Sequence, residues 1–179
     1  MNVEPAHDKS DLTAVAAADS EVGQELLRIV CETVSAIDGA DHAAVVALTD
    51  RRLLAATSEL AERLEVIQRT SCSGPSVDAE HSGKIERINY LSDRLWPDFE
   101  AFCRDCEVRS VAALPLLDGG VTIGVFTVYS SDHHAFGAPE LRIGRNSAEA
   151  LVTVIRPMLV DSVDSSTPTP ERRTVTAHG

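Results

Sequence analysis

Two cysteines lie close enough in the sequence to act as a pair. Cys103 and Cys106 form a C-x-x-C motif, the spacing found in redox-active dithiols and in half of a zinc site. The motif falls on a predicted helix without a preceding thioredoxin-like strand, and no second C-x-x-C or H-x-x-x-H completes four zinc ligands. We therefore expect ordinary reduced thiols and no metal here, because free cysteine is usually a small buried hydrophobe.

Three further side chains have types that suit nucleophilic or metal chemistry. Cys72 lies between serines, with no neighbouring base to activate its thiol. His133 and His134 follow a predicted strand, but no carboxylate or thiol is spaced to complete a metal site, so a solvated loop is expected. The sequence contains no G-x-S-x-G, P-loop, G-x-G-x-x-G or H-E-x-x-H motif. It therefore supports neither a hydrolase nor a nucleotide-dependent enzyme, and it predicts no cofactor.

Arg109 and Trp96 are the side chains best suited to bind an organic molecule. Arg109 begins a predicted strand, where its guanidinium can grip an anionic ligand or pair with Asp78 or Glu107. Trp96, beside a proline, can form one wall of a cavity or close the edge of the core. Both interpretations stay open for each residue.

The composition limits the partners that these residues can have. The chain has 179 residues, of which 44% are hydrophobic and 4% aromatic, and its formal net charge is −12. A negative field opposes contact with phosphate backbones and anionic lipids, and few rings are available to stack on bases. The sequence has neither a leading signal nor a run of ~20 apolar residues. We expect a single-domain cytoplasmic protein without direct nucleic-acid or membrane binding.

Hydrophobic periodicity predicts the elements that position the candidate residues. An amphipathic helix comes first, and Gly39 can end it. Its apolar stripe consists of Leu26, Ile29, Val30, Thr33, Val34 and Ile37. The segments HAAVVALTD and RRLLAATS then predict a hairpin that turns at Asp50 and Arg51. Ser58 is placed to cap a second helix that runs to about Arg69. The apolar face of this helix holds Leu60, Leu64 and Ile67.

The second half of the chain starts with a predicted loop, TSCSGPSVDAEHSG, and a strand, KIERINY. A helix through LWPDFEAFCRDC follows. Its apolar face holds Leu95, Phe99 and Phe102. The segment RSVAALPLLDGGVTIGVFTVYS predicts two long strands that turn at Asp118, Gly119 and Gly120. The last helix starts near Pro139 and is expected to end or kink at Pro157. Its stripe consists of Leu141, Ala148, Leu151, Val152, Ile155 and Leu159.

This order of elements predicts an α+β fold. An antiparallel sheet covered by helices is the simplest arrangement, with the first and last helices together on one face. Residues 1–22 are acidic and residues 161–179 are rich in serine, threonine and proline, so both are predicted to be disordered tails. The folded domain is then expected over residues 23–160.

Four segments, in order and at the usual separations, resemble a known family: TSCSGPSVDA, INYLSDRLWPDF, RSVAALPLLDGGVTIGVFTVYS and AFGAPEL. They resemble the GAF domains that actinobacterial regulators couple to a small RNA-binding ANTAR domain. The resemblance spans residues 23–160 and implies a six-stranded antiparallel sheet, a ligand-sized pocket over one face and a homodimer formed through the terminal helices. Only the Ser/Thr/Pro tail follows Val160, so we expect the ANTAR output domain to be missing.

The resemblance implies a non-enzymatic regulatory module that binds a small molecule or a regulatory protein. The expected pocket is lined by the loop over residues 70–78, by Trp96 and by the strand that begins at Arg109. The candidate ligand-binding residues are Cys72, Ser73, Gly74, Pro75, Ser76, Trp96, Arg109 and Ser110.

Two alternative functions stay open. Free methionine-R-sulfoxide reductases share the GAF fold and use cysteines in this loop and near the Arg-Ser pair, whereas this chain has Ser76 at their loop cysteine position. A redox enzyme of this kind would use Cys72 with Cys103 or Cys106. Alternatively, if side chains fill the pocket, the domain is a dimerisation scaffold without a ligand.

Overall fold

A computed structural model describes residues 15–16, 20–49, 52–91 and 95–164, which form an α+β fold of helices around one sheet. The helices are α1 (Glu21–Ala36), α2 (Glu59–Ser71), α3 (Pro75–Ser82), α4 (Pro97–Asp105) and α5 (Ala138–Asp164). The strands are β1 (Val15–Ala16), β2 (His42–Ala47), β3 (Leu53–Ala56), β4 (Glu86–Ile88), β5 (Ser110–Asp118) and β6 (Val121–Ser130).

The sheet is antiparallel, with the strand order β1-β3-β2-β6-β5-β4. Its body consists of the five longer strands β2 to β6, which are the five that the sequence pattern predicts. The six strands implied by the resemblance are reached only by counting β1, a two-residue strand that pairs with β3 at the edge. In the central hairpin, Gly119 and Gly120 have φ of +58° and +87°, the left-handed conformations that the predicted turn needs.

Side-chain alternation along the strands divides the core into two layers. One layer, here called the α1–α5 face, lies between the sheet and the two terminal helices. The other, here called the α2–α4 face, lies between the sheet and helices α2, α3 and α4. On β5, for example, Ala112 and Leu114 belong to the first core cluster and Val111 to the second.

The α1–α5 face is a continuous apolar core. Its fully buried large side chains are Leu26, Ile37, Leu114, Leu116, Phe126, Phe136, Leu151 and Ile155. Every residue of the stripe predicted for α1 is buried. The Thr33 hydroxyl of α1 donates a hydrogen bond to the Ser147 hydroxyl of α5 at 2.7 Å. The predicted packing of the terminal helices against each other is therefore confirmed.

Helix ends follow the predicted signals at some positions and depart from them at others. Ser58 caps α2 as expected, because its hydroxyl accepts a hydrogen bond from the Ala61 amide at 3.2 Å. Helix α5 does not end at Pro157 and continues to Asp164. Proline removes one backbone donor, but packing of α5 through Ile155 and Leu159 on either side holds the helix together. The turn predicted at Asp50 and Arg51 lies outside the described residues.

The predicted loop over TSCSGPSVDAEHSG was wrong in part, because it contains α3. Pro75 occupies the first turn of this helix, and Gly83, with φ of +63°, ends it. The strand predicted from KIERINY is reduced to the three residues of β4.

The face predicted for α4 was also wrong at one end. Leu95 precedes the helix and is 68% exposed, while Trp96, Phe99 and Cys103 pack into the core. Pro97 begins the helix, so the preceding residues follow a different backbone path and their side chains leave the helical stripe.

The described elements extend slightly into both predicted tails. Strand β1 and the start of α1 fall within residues 1–22, and α5 reaches Asp164. Ser20 caps α1, and the other residues of 1–22 and 161–179 lie outside the described residues.

Candidate functional site

The predicted loop closes over a glutamine of α2. Cys72 ends α2 in the left-handed conformation, with φ of +51°, and Gly74 follows with φ of +152°. A Cβ atom at Gly74 would lie 2.4 Å from Oε1 of Gln68, so only glycine fits this close approach. The same Gln68 oxygen accepts a hydrogen bond from the Ser76 amide at 2.8 Å. Gln68 therefore fixes the path of the chain from α2 into α3.

Beneath this loop, five polar side chains form a buried group, here called the Glu65 cluster, of Glu65, Gln68, Ser76, Thr127 and Tyr129. Tyr129 OH donates to Oε1 of Glu65 at 2.6 Å, and Ser76 Oγ donates to Oε2 of Glu65 at 3.0 Å. Nε2 of Gln68 donates to the Tyr129 oxygen at 3.0 Å. The cluster joins α2, α3 and β6 through side chains that are at most 5% exposed.

Burial controls the electrostatics of the Glu65 cluster. It raises the pKa of the Glu65 carboxyl, while the hydrogen bonds from Tyr129 and Ser76 and the charge of Arg69 partly oppose the shift. Burial also raises the pKa of the Tyr129 hydroxyl, and the carboxyl of Glu65 adds to that effect. The Thr127 hydroxyl lies close enough to lower the pKa of Glu65, yet its geometry forms no hydrogen bond.

The structure brings part of the predicted ligand site together on the α2–α4 face. Gly74, Pro75, Ser76 and Trp96 are buried there, and Ser76 belongs to the Glu65 cluster. Ser73 is half-buried. The Trp96 ring is 7% exposed and lies in the core cluster.

The remaining predicted residues lie at the surface or at the end of β5. Cys72 and Arg109 are exposed, whereas Ser110 is buried and its hydroxyl donates to the backbone oxygen of Asp132 at 2.7 Å. Whether these residues bind a ligand stays a prediction.

The ion pair considered for Arg109 does not form in the described part of the chain. Neither Asp78 nor Glu107 pairs with its guanidinium there. Asp78 instead accepts a hydrogen bond from the Trp96 ring nitrogen at 3.1 Å. That hydrogen bond fixes the orientation of the indole ring. The side chain of Arg109 faces solvent.

Glu65, Gln68 and Tyr129 are not among the site residues predicted from the sequence. On α2 the buried residues are Ala61, Leu64, Glu65 and Gln68. This spacing of three, one and three residues is that of a helix face turned toward the core. The positions of Glu65 and Gln68 on that face were therefore visible in the sequence. Charged residues are almost never fully buried without a partner, and a stripe of this kind therefore points to a polar site.

The cysteines are all free, and burial disfavours the thiolate form of Cys31, Cys103 and Cys106. Burial raises the pKa of Cys103, with smaller contributions from Cys106 and Glu100, and burial also raises the pKa of Cys106. Cys72 is exposed at the end of α2. Among the described residues, no group of three or more His, Cys, Asp or Glu side chains could hold a metal ion.

Two larger cavities open on the described surface. A groove of about 430 Å³ runs between α5, strand β5 and the segment that joins α3 to β4. A second cavity of about 240 Å³ lies at the end of α4. It is lined by Tyr90, Leu91, Glu100, Arg104, Val108, Arg109 and His133. Of the predicted ligand-binding residues, Arg109 is the one that lines a described cavity.

The fold and this site define a small α+β domain with a buried polar network under one face of the sheet and a helix pair on the other. A model of the GAF domain matches residues 24–156. The chain therefore belongs to the GAF family.

Solved structures agree with this assignment at the level of the fold. The chain is similar to a GAF domain/HD domain protein from Geobacter sulfurreducens, with a TM-score of 0.61, 18% identity and coverage of 79% of this chain and 96% of that one. It is also similar to the GAF domain of an Acinetobacter phosphoenolpyruvate-protein phosphotransferase, with a TM-score of 0.58, 11% identity and coverage of 82% and 89%.

A third similar structure is an enzyme, the type II free methionine-R-sulfoxide reductase from Thermoplasma acidophilum. It has a TM-score of 0.58 and 12% identity, with coverage of 76% of this chain and 93% of that one. At such identities the likeness concerns the fold alone. Comparison of the sequence with curated proteins finds no significant match. In the part of the chain that the structure describes, no helix is long and apolar enough to cross a membrane.

Proposed function

We propose that the chain is a non-enzymatic regulatory module that binds a small molecule or a regulatory protein on its α2–α4 face. The observation that carries this proposal is the Glu65 cluster, in which a fully buried carboxyl joins α2, α3 and β6. Buried polar groups cost stability unless they are well paired, and they accumulate where a structure must do more than fold.

The Glu65 cluster also offers a route for a signal. A ligand that moves the loop above Gln68 would disturb the hydrogen bonds of Ser76 and, through Glu65, that of Tyr129 on β6. Val128, the residue before Tyr129 on β6, packs into the core of the α1–α5 face. The ligand must bind the two arrangements with different affinity, because equal affinity shifts no equilibrium.

The terminal helices are the output surface in this proposal, and they form a homodimer. Several apolar side chains of α1 and α5 remain half-exposed around the packed helix pair. These side chains are Val22, Leu27, Ile143, Val154, Met158 and Leu159. A second copy would remove them from water, which stabilises a dimer in proportion to the apolar area buried.

The thiol chemistry supports regulation over catalysis. A reductase that used Cys72 with Cys103 or Cys106 needs an accessible thiolate partner, but burial raises the pKa values of both α4 thiols. No NADPH-coupled reduction of free methionine-R-sulfoxide is therefore expected. The specific kinship with actinobacterial regulators stays a prediction based on the four sequence segments.

Native mass spectrometry of the reduced protein tests the proposed function, with two matched variants. Ala150→Arg places a charged side chain at an exposed position of α5, and Ala101→Arg makes the same change on α4. We expect a wild-type dimer that releases a small molecule on denaturation, a monomeric Ala150→Arg variant and a dimeric Ala101→Arg variant. A wild-type monomer would contradict the proposal. An empty dimer that persists in Ala150→Arg would point to a scaffold built through another surface.

A further inference from the structure

The cavity at the end of α4, here called the Arg109 cavity, combines charges of opposite sign. Glu100 lines the cavity with a carboxylate side chain, and the residue is only 3% exposed. Its Oε2 atom is buried without a hydrogen-bond partner. A buried acceptor without a donor destabilises the fold, and more so when it is charged. A cationic group in the cavity would offset the charge of this carboxyl, although Oε2 itself has no surface open to the cavity.

Arg109 provides the opposite charge at the same cavity. Its side chain is exposed, and it forms no ion pair with another side chain in the described part of the chain. Its guanidinium can therefore offer a planar pair of donors to a carboxylate. Arg104 also lines the cavity.

The walls of the Arg109 cavity are pinned by hydrogen bonds. The His134 amide donates to the Asn89 backbone oxygen at 3.1 Å, and the Ser110 hydroxyl donates to the Asp132 backbone oxygen at 2.7 Å. Tyr90 and His133 stack on each other across these two segments, with ring centroids 5.1 Å apart. The cavity is therefore preformed, as small-molecule sites commonly are.

The size and charge of the cavity limit what can bind. A volume of about 240 Å³ is below the ~300–1,000 Å³ typical of pockets for drug-sized molecules, so a small metabolite fits best. A simple cation would meet the charge of Arg109, and a simple anion would meet the carboxylate of Glu100. A molecule that carries both charges avoids both penalties.

We propose that the Arg109 cavity binds a free amino acid, with its ammonium group at Glu100 and its carboxylate at Arg109. Val108 and Leu91 supply apolar wall for the side chain of the amino acid, beside the stacked rings of Tyr90 and His133. This inference rests on the proposed function, because it assigns the ligand of the regulatory module. It places that ligand at α4, which packs against the helix α2 that carries Glu65 and Gln68, and not directly at the loop above Gln68.

Thermal-shift measurements with the standard L-amino acids, tested singly on the full chain, provide the first test. The best ligand is then measured by isothermal titration calorimetry beside its decarboxylated amine and its deaminated acid. We expect at least one amino acid to raise Tm and to bind, and each single-charge analogue to bind about tenfold or more weakly, since a charged hydrogen bond contributes ~1.5–3 kcal/mol.

Matched variants locate the site. Glu100→Gln and Arg109→Ala should each weaken binding about tenfold or more. The controls Glu59→Gln and Arg142→Ala, at exposed positions outside the cavity, should bind like wild type. Far-UV circular dichroism and the Tm of each variant establish that it is folded.

Three results would overturn the inference: no amino acid binds the wild type, a single-charge analogue binds as tightly, or Glu100→Gln binds unchanged. If amino acids fail while native mass spectrometry finds a dimer with another molecule, the amino-acid assignment falls and the proposed function stands. If an amino acid binds to a protein that is a monomer at all concentrations, the proposed dimer output falls instead.

Discussion

The α1–α5 face buries a continuous apolar core, whereas the α2–α4 face buries a glutamate, a glutamine and a tyrosine hydroxyl beside a smaller apolar cluster. Two buried oxygens without a hydrogen-bond partner, Thr127 Oγ1 and Glu100 Oε2, also belong to the second face. Burial of apolar surface stabilises the first face, whereas the second face also buries polar groups that stabilise the fold only where they are paired. Such groups persist where function needs them.

The largest expected effect is the loss of a leucine from the apolar face. Leu151 is fully buried, so Leu151→Ala should lower the free energy of unfolding by about 2–5 kcal/mol through lost burial and a residual cavity. Urea denaturation followed by circular dichroism measures the change. Leu117 is 44% exposed, and Leu117→Ala should stay within about 0.5 kcal/mol of wild type. Similar losses for the two variants would contradict the packing described for α5.

Removing one hydroxyl from the Glu65 cluster tests the polar face. Tyr129→Phe leaves Oε1 of Glu65 without its donor, and it leaves Nε2 of Gln68 only the Leu64 backbone oxygen, at 3.4 Å. The free energy of unfolding should fall by about 1–3 kcal/mol, the cost of a buried unsatisfied group. Tyr90 is 65% exposed, so Tyr90→Phe serves as the control and should change little. A Tyr129→Phe variant as stable as wild type would mean that the cluster is not tightly formed.

The pH dependence of stability isolates the buried carboxyl. The pKa of Glu65 in the folded protein is raised above its ordinary value of 4.5, so the folded state holds a proton that the unfolded state releases. Its contribution to stability is fully present below about pH 4.5 and is lost as the pH rises through the folded pKa. Relative to Glu65→Gln, wild type should therefore lose stability toward neutral pH.

Urea titrations of both proteins from acidic to neutral pH measure that difference. Glu59→Gln, an exposed position at the start of the same helix, should show no comparable divergence from wild type. A wild type that gains stability over Glu65→Gln as the pH rises would show that the hydrogen bonds outweigh burial.

The smallest effect concerns the thiols. Brief treatment of the native protein with iodoacetamide should label Cys72 first and leave Cys103 unmodified until unfolding, because Cys103 is buried and its thiol pKa is raised by burial. Peptide mass spectrometry identifies the labelled residues. Rapid labelling of native Cys103 would revive the redox alternative. Cys72→Ser should change neither Tm nor oligomeric state.

The sequence predicted the parts of the fold that depend on repeated local signals. The α1 stripe, the Ser58 cap and the turn at Gly119 and Gly120 all combine a residue type with a fixed spacing. Helix α3 was missed because it is short and lies among turn-forming residues, where the pattern of apolar residues is weak. Its Pro75 start and Gly83 end were the available signals.

The candidate site was predicted less completely. The loop and Trp96 were placed on one face, but the Glu65 cluster needs Tyr129, which is 64 residues from Glu65 in the sequence. Such a contact depends on the register of β6 and on the rotation of α2. Arg109 was recognised from its place before a strand, whereas its neighbours Glu100 and His133 become visible only when separate segments meet.

In the proposed regulatory module, the α2–α4 face rearranges while the α1–α5 core stays folded. Native-state hydrogen exchange measures this directly, because it gives the opening free energy of each amide. We expect amides of α3 and α4 to exchange through openings that cost less free energy than those of α1 and β6, with little dependence on denaturant. Equal opening free energies in all four elements would contradict it, since the two faces would then unfold as one unit.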